Sequence, residues 1–424
     1  MELFLSNKKG LIYYLLLLIV LVSWTNSESL PSMPLRLAFM CAVVLPLWVR
    51  KSKSFPVLFF PFVIISASSY AVSYMPVDGL YIFVTVLLSL VILRRNGGKH
   101  LKIPNSFKLL CFLSMFMDTF FSSDVTSVFN WLSIIIVAES FLSINDFQKL
   151  NSFTFSLAVI SLVLSLEFIF VGNKFMTVVN TIDGVLDRKG WTDPNYFGSI
   201  LGFGIFASLV ELMTNKSNSK IIRYFYFFVI VVSLYTLFGT ASRGAVIALI
   251  CSSLILLFIC PLSNTYRIGI ISFSVLVLFI MFKLHMLDLL ILRFLSDEGD
   301  AGGRMEIWIP RLNAFFYECS PMQWLFGLGT DKAMRLGTGQ FIGFHNDYLS
   351  ILVKYGMIGF FCLIGLLVKP IMSCKNKKGI VFAGIVYMSV CMFSIEPFTG
   401  GQWGCLYFYL YVLLLSQVRN ERYL

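Results

Sequence analysis

The stretch YFYFFVIVVSLYTLFGTASRGAVIALICSSLILLFICP, residues 224–261, decides how this chain folds. Two apolar runs, 224–239 and 245–261, flank a short turn whose one charge is Arg243. Crossing the hydrocarbon core of a bilayer takes about 20 apolar residues. Two such runs joined by so little polar chain read as a membrane hairpin.

The pattern extends in both directions. Of 424 residues, 58% are apolar, 16% are aromatic and only 13% are charged. A soluble domain carries about a quarter of its residues as charges, so a water-soluble globular reading is excluded. Disordered, collagenous and disulfide-rich secreted classes fail too, because apolar runs dominate throughout. The expected fold is an all-α polytopic membrane protein. Fourteen candidate helices fall at 11–27, 35–49, 55–75, 79–93, 107–122, 127–144, 152–171, 195–214, 224–239, 245–261, 268–285, 345–368, 379–395 and 404–418. The first run lacks a small-residue cleavage site after Lys8 and Lys9 and reads as a retained anchor. Nine cysteines are present, and all but Cys319 lie in or beside apolar runs, where they read as small packing residues.

Charge gives the sidedness. The net charge is +11. With the N-terminus inside, the inner connections 1–10, 50–54, 94–106, 145–151, 215–223, 262–267, 369–378 and 419–424 collect most of the Lys and Arg, as cytoplasmic loops should. Only Arg36 and Arg243 fall in short outer connections. Both termini are therefore expected in the cytoplasm. The chain divides into transmembrane helices 1–7 (1–171), an outer loop (172–194), helices 8–11 (195–285), a long outer loop (286–344) and helices 12–14 (345–424). Long outer loops on an otherwise apolar scaffold are where function is sought. The longer one holds HMLDLLILRFL, read as an interfacial helix, then SDEGDAGG, then GRMEIWIPRLNAFFYE, in which Pro310 is expected to kink or restart a helix.

Candidate chemistry concentrates on the outer side. Arg243 either caps a tight turn or aims a guanidinium between helices, where its planar fork suits phosphate oxygens. Arg304 opens a helix after two glycines and reads as a solvated arginine or a second anion ligand. Arg311 shares its face only if Pro310 leaves the helix intact. His345 begins a span at the junction with the long loop; it is structural, or it accepts a proton from a sugar hydroxyl. Asp193 and Asn195, in TDPNYFG, either read hydroxyls or cap the following helix with Pro194 at its start. Trp191, Tyr196, Trp308, Trp324, Tyr348 and Trp403 stack on sugars or form an interfacial belt. Glu167, Asp118 and Lys354 line a polar cavity or are packed and paired. No HExxH, P-loop or paired outer carboxylates occur, so neither metal nor cofactor is expected, and cationic side chains would stabilise a leaving diphosphate.

The motifs TASRG (240–244), GGRMEIW (302–308), WLFGLG (324–329) and HNDYLSILVKYGMIG (345–359) resemble the bacterial O-antigen polymerase and O-antigen ligase superfamily. In the last, His345-Asn346 is followed after nine residues by Gly356 and, two residues on, by Gly359. The resemblance implies a metal-independent, inverting glycosyltransferase of the GT-C type in the bacterial inner membrane. Its substrates would be glycans carried on undecaprenyl diphosphate at the periplasmic face. It implies that Arg243 and Arg304 bind the diphosphate and that His345 activates the acceptor hydroxyl. Arg311, Asp193, Asn195, Tyr348, Asn346 and Trp308 are the expected substrate-binding residues. Trp308 interrupts the Arg-x-x-x-Leu pattern of ligases, which with the span count and the two outer loops favours the polymerase. A ligase acting on lipid A-core is the alternative, and a lipid-linked glycan flippase the second. Membrane lipids are expected partners, with a chain-length regulator by family analogy; nucleic acid is not.

Overall fold

A computed structural model describes residues 103–121, 125–142, 147–171, 177–180, 186–189, 194–214, 220–259, 304–374, 378–396 and 406–417, with scattered positions between 86 and 93 and between 264 and 291. The expected spans 11–27, 35–49 and 55–75 lie outside the described residues, as do most positions of 79–93 and 268–285.

The described chain runs α1 (Asn105–Phe121), α2 (Val125–Leu142), α3 (Phe147–Val171), β1 (Thr177–Asn180), β2 (Leu186–Lys189), α4 (Pro194–Thr214), α5 (Lys220–Gly239) and α6 (Arg243–Ile259). It continues through α7 (Met305–Glu318), α8 (Pro321–Phe326), α9 (Thr330–Arg335), α10 (Asp347–Ser373), α11 (Lys378–Ser394) and α12 (Leu406–Gln417). Each described apolar run is a helix within a few residues of its expected bounds. Phe153–Phe170, Pro194–Thr214, Lys220–Gly239 and Asp347–Ser373 are long and apolar enough to cross a membrane. Large apolar side chains such as Phe112, Phe170, Ile221, Phe258 and Phe361 point outward from the bundle. Water penalises such a surface, whereas lipid tails do not.

The connection 172–194, expected on the outer side, is not wholly irregular. Thr177 pairs with Lys189 and Asn180 with Leu186 in a two-stranded antiparallel ribbon, a departure from the all-α expectation. Thr177, Val178 and Val179 are β-branched, but a run of this length is too short for periodicity to expose it.

Helix α4 is the axis of the described bundle. It packs against α3, α5, α6 and α11 and is buried along nearly its whole length. Its glycines permit this. A side chain at Gly198 would stand 2.6 Å from Ser242 Cβ, and side chains at Gly202 and Gly204 would collide with Tyr387 and Ser161. Small residues let helices approach where lipid offers no hydrophobic drive to associate. The space left is filled by rings: Phe203 lies 6.0 Å from Tyr387 and 5.5 Å from Tyr411. Tyr387 donates to the Ser199 carbonyl at 2.7 Å. Ser161 and Ser233 share a hydrogen bond at 2.9 Å between α3 and α5. Such interhelical bonds contribute about 0.6 kcal/mol each.

Helix α10 is broken. Gly356 has φ 66° and ψ −167°, so Val353 and Lys354 lose their intrahelical donors. The WLFGLG segment supplies replacements. Leu328 N–H donates to Val353 O at 3.1 Å, and Gly329 N–H to Lys354 O at 2.9 Å. Asp118 on α1 fixes both sides of this joint, accepting from Thr330 N at 2.9 Å and Tyr355 OH at 3.2 Å. The long loop is thereby stitched into the helix that follows it. Pro310 does not interrupt α7, which runs through it from Met305 to Glu318.

Candidate active site

The α5–α6 turn is held by its own hydroxyls. Thr240 Oγ1 donates to Leu237 O at 2.7 Å and accepts from Ser242 N at 3.3 Å. Ala241 takes a left-handed φ of 50°, which reverses the chain at once. Ser242 Oγ donates to Asn195 Oδ1 at 3.4 Å, tying the turn to the start of α4. Arg243 is the first, half-buried residue of α6. Gly244 beside it packs on Ser394, where any side chain would collide with Oγ.

Arg304 arrives at the same residue from the long loop. It immediately precedes α7, and its Nη2 donates to Ser394 O at 2.9 Å. That carbonyl belongs to the last turn of α11, where helix oxygens lack intrahelical donors and the dipole favours a cation. Ser394 thus joins two segments, one at its hydroxyl and one at its carbonyl.

His345 is exposed, with a left-handed φ of 52°. Its backbone N–H donates to Glu396 Oε1. The other oxygen, Oε2, accepts from Ser350 Oγ at 3.4 Å and lies 3.7 Å from Lys354 Nζ, with both charged side chains buried. Glu396 N–H in turn donates to Tyr196 OH at 3.2 Å. Arg243, Arg304 and His345, spread over a hundred residues, are therefore tied at one end of the bundle through residues 394–396.

The other expected site residues divide. Asn195 sits beside the Arg243 turn, as above. Tyr348 OH donates to Ser389 O at 3.2 Å, and its ring lies 4.9 Å from Phe393, bracing α10 on α11. Asn346 is the N-cap of α10, its Oδ1 accepting from Tyr348 N at 3.0 Å and Leu349 N at 3.2 Å. Trp308 Nε1 donates to Phe344 O at 2.7 Å. Arg311 is fully buried; its Nη2 donates to Met334 O and Ile342 O, each at 2.7 Å, and its guanidinium lies 4.3 Å from the Phe344 ring centroid. Burial pulls this guanidinium below its ordinary pKa, with the Glu396 charge acting the other way. Trp308 and Arg311 Nη2 thus hold the backbone leading into His345, Asn346 caps the helix that follows it, and Arg311 Nε and Nη1 are buried without a hydrogen-bond partner among the described residues. Asp193, Trp191 and Trp403 lie outside the described residues. Trp308→Phe, which removes a bond of about 1 kcal/mol, is expected to leave membrane abundance intact and lower activity several-fold; unchanged activity would show that the brace is dispensable.

Glu396 is the residue that sequence reasoning passed over. Its signal was present: it is the one acidic residue in EPFTGGQW (396–403), between the last two apolar runs. Lys354, which was open to a packed and paired reading, pairs with it. Among the described residues no group of three or more His, Cys, Asp or Glu gathers to hold a metal ion.

Residues 228–364 match the Wzy_C family model, described as O-antigen ligase. The match spans Arg243, Arg304 and His345, and it supports a likeness of this segment to the O-antigen polymerase and ligase superfamily. Comparison with curated proteins finds no match.

Proposed function

We propose that this chain, with its O-antigen ligase family segment at 228–364, is an O-antigen polymerase. It joins undecaprenyl-diphosphate-linked oligosaccharide repeats at the periplasmic face of the inner membrane. The observation that carries this reading is the convergence of the Arg243 turn, Arg304 and His345 on residues 394–396.

The acceptor is a sugar hydroxyl on one lipid-linked repeat, and the donor is the growing glycan on another carrier. His345 takes the hydroxyl proton as the new glycosidic bond forms. The bond from the anomeric carbon to the diphosphate breaks, and the lipid diphosphate leaves with the electron pair. Arg243 and Arg304 balance the charge that develops on it. Attack from the face opposite the leaving group makes the transfer inverting and GT-C-like. Asn195, Tyr348 and Asp193 are the proposed sugar contacts, while Trp308 and Arg311 hold the backbone before His345 and Asn346 caps the helix after it. A chain-length regulator is the proposed protein partner.

Deleting the gene is expected to leave lipopolysaccharide bearing a single repeat. Bare core would instead support a ligase, the second reading, which the description of the matched family favours. Carrier-linked repeats trapped on the inner leaflet would support a flippase. That reading has less support, because the broken turn of α10 is filled by the chain's own Leu328 and Gly329 rather than left open for cargo.

A further inference from the structure

Glu396 links four residues of the candidate site: His345, Ser350, Lys354 and Tyr196. One oxygen receives the His345 backbone amide, and the other faces Lys354 at 3.7 Å and Ser350 at 3.4 Å. Its own amide is held by Tyr196 at 3.2 Å. The pair is sealed, with Lys354 1% and Glu396 6% exposed. A buried ion pair contributes little to stability over apolar packing, so its place here calls for another account. That account is His345, whose φ of 52° a non-glycine residue holds only when its surroundings impose it. A charge-assisted bond to the amide imposes it.

We propose that Glu396 is a positioning residue that acts through His345. Its carboxylate clasps the backbone amide and fixes where the imidazole stands. Lys354 holds the carboxylate in place from two turns further along α10. Because Arg304 is bound at Ser394, two residues earlier, one short segment sets the spacing between the base and the diphosphate ligands. This inference rests on the roles proposed for His345, Arg243 and Arg304.

The test uses the full chain in proteoliposomes, with the lipid-diphosphate-linked repeat extracted from the deletion strain as donor and acceptor. Glu396→Gln keeps the shape and a neutral acceptor. Charge-assisted bonds are about twice as strong as neutral ones, so turnover is expected to fall about tenfold, with KM for the lipid-linked repeat within about threefold. The double exchange Lys354→Glu with Glu396→Lys restores the charge pair but puts an ammonium, which accepts nothing, opposite the His345 amide. Turnover is expected to fall on the order of a hundredfold, the effect of misplacing a reacting group by about 1 Å. Wild-type turnover in either protein overturns the proposal, because a purely structural ion pair would be rescued by the exchange. A rise in KM with unchanged turnover overturns it as well. If the exchanged protein fails to accumulate, the Glu396→Gln kcat and KM decide alone. Full activity in His345→Ala would instead sink the site itself, whatever the Glu396 variants do.

Discussion

Arg304→Ala is expected to abolish detectable chain extension while leaving the protein in the membrane at normal abundance. Removing one preorganised donor from a developing anion costs about 10²–10³-fold in rate, enough to collapse a polymer ladder to its first rung. Arg304 has a structural bond too, to Ser394 O at 2.9 Å. Its planar fork can hold that carbonyl with one nitrogen and offer others to a diphosphate. Lysine has one point of charge, so Arg304→Lys is expected to restore little. Arg243→Ala and His345→Ala are expected to behave likewise. The readout is lipopolysaccharide banding beside an immunoblot of membranes. Wild-type ladders from all three alanine variants would reject the assigned site.

Gly356→Ala is expected to fail earlier, at folding. Gly356 has a φ of +66°, and a Cβ there would collide with Leu325 O and stand 2.6 Å from Gly327 N. Gly327, with φ +86°, faces the same joint, and a Cβ on it would stand 2.5 Å from Tyr355 N. Strained backbone alone costs about 1–3 kcal/mol, and neither neighbour is a side chain free to swing away. Both variants should accumulate poorly or melt well below the parent in detergent. Gly339 supplies the control: it too has a positive φ, +68°, but a Cβ there meets nothing within 4 Å. Gly339→Ala should lose only the backbone preference, about 1–2 kcal/mol. Equal melting temperatures for the Gly356 and Gly339 variants would contradict the backbone-on-backbone joint.

Apart from α7–α9, apolar run length found the described helices to within a few residues because span length is a property of consecutive side chains. The tight α5–α6 turn was readable for the same reason, in a few residues around Arg243. The break in α10 was not, since Gly356 inside an apolar run looks like a packing glycine until residues 327–329 are seen to fill the gap. Pro310 misled in the other direction, because α7 tolerates it. Arg311 reads in the sequence as a substrate-binding residue that could share the face of Arg304. Its partners, Met334 O and Ile342 O, are backbone atoms that carry no residue-type signal. Glu396 lies 51 residues from the amide it receives, and no periodicity links such positions.

The tie at residues 394–396 also sets a timetable for the newborn chain. Arg243, Arg304 and His345 leave the ribosome well before α11 does, and until α11 is in place Arg304 has no Ser394 carbonyl to grip and His345 no carboxylate to hold it. A protein cut short after residue 377 would carry all three side chains but lack both Ser394 and Glu396. On the proposed function, competence would therefore come late, with the insertion of the second-last described helix, and a half-made copy would lack the tie that the proposed site depends on.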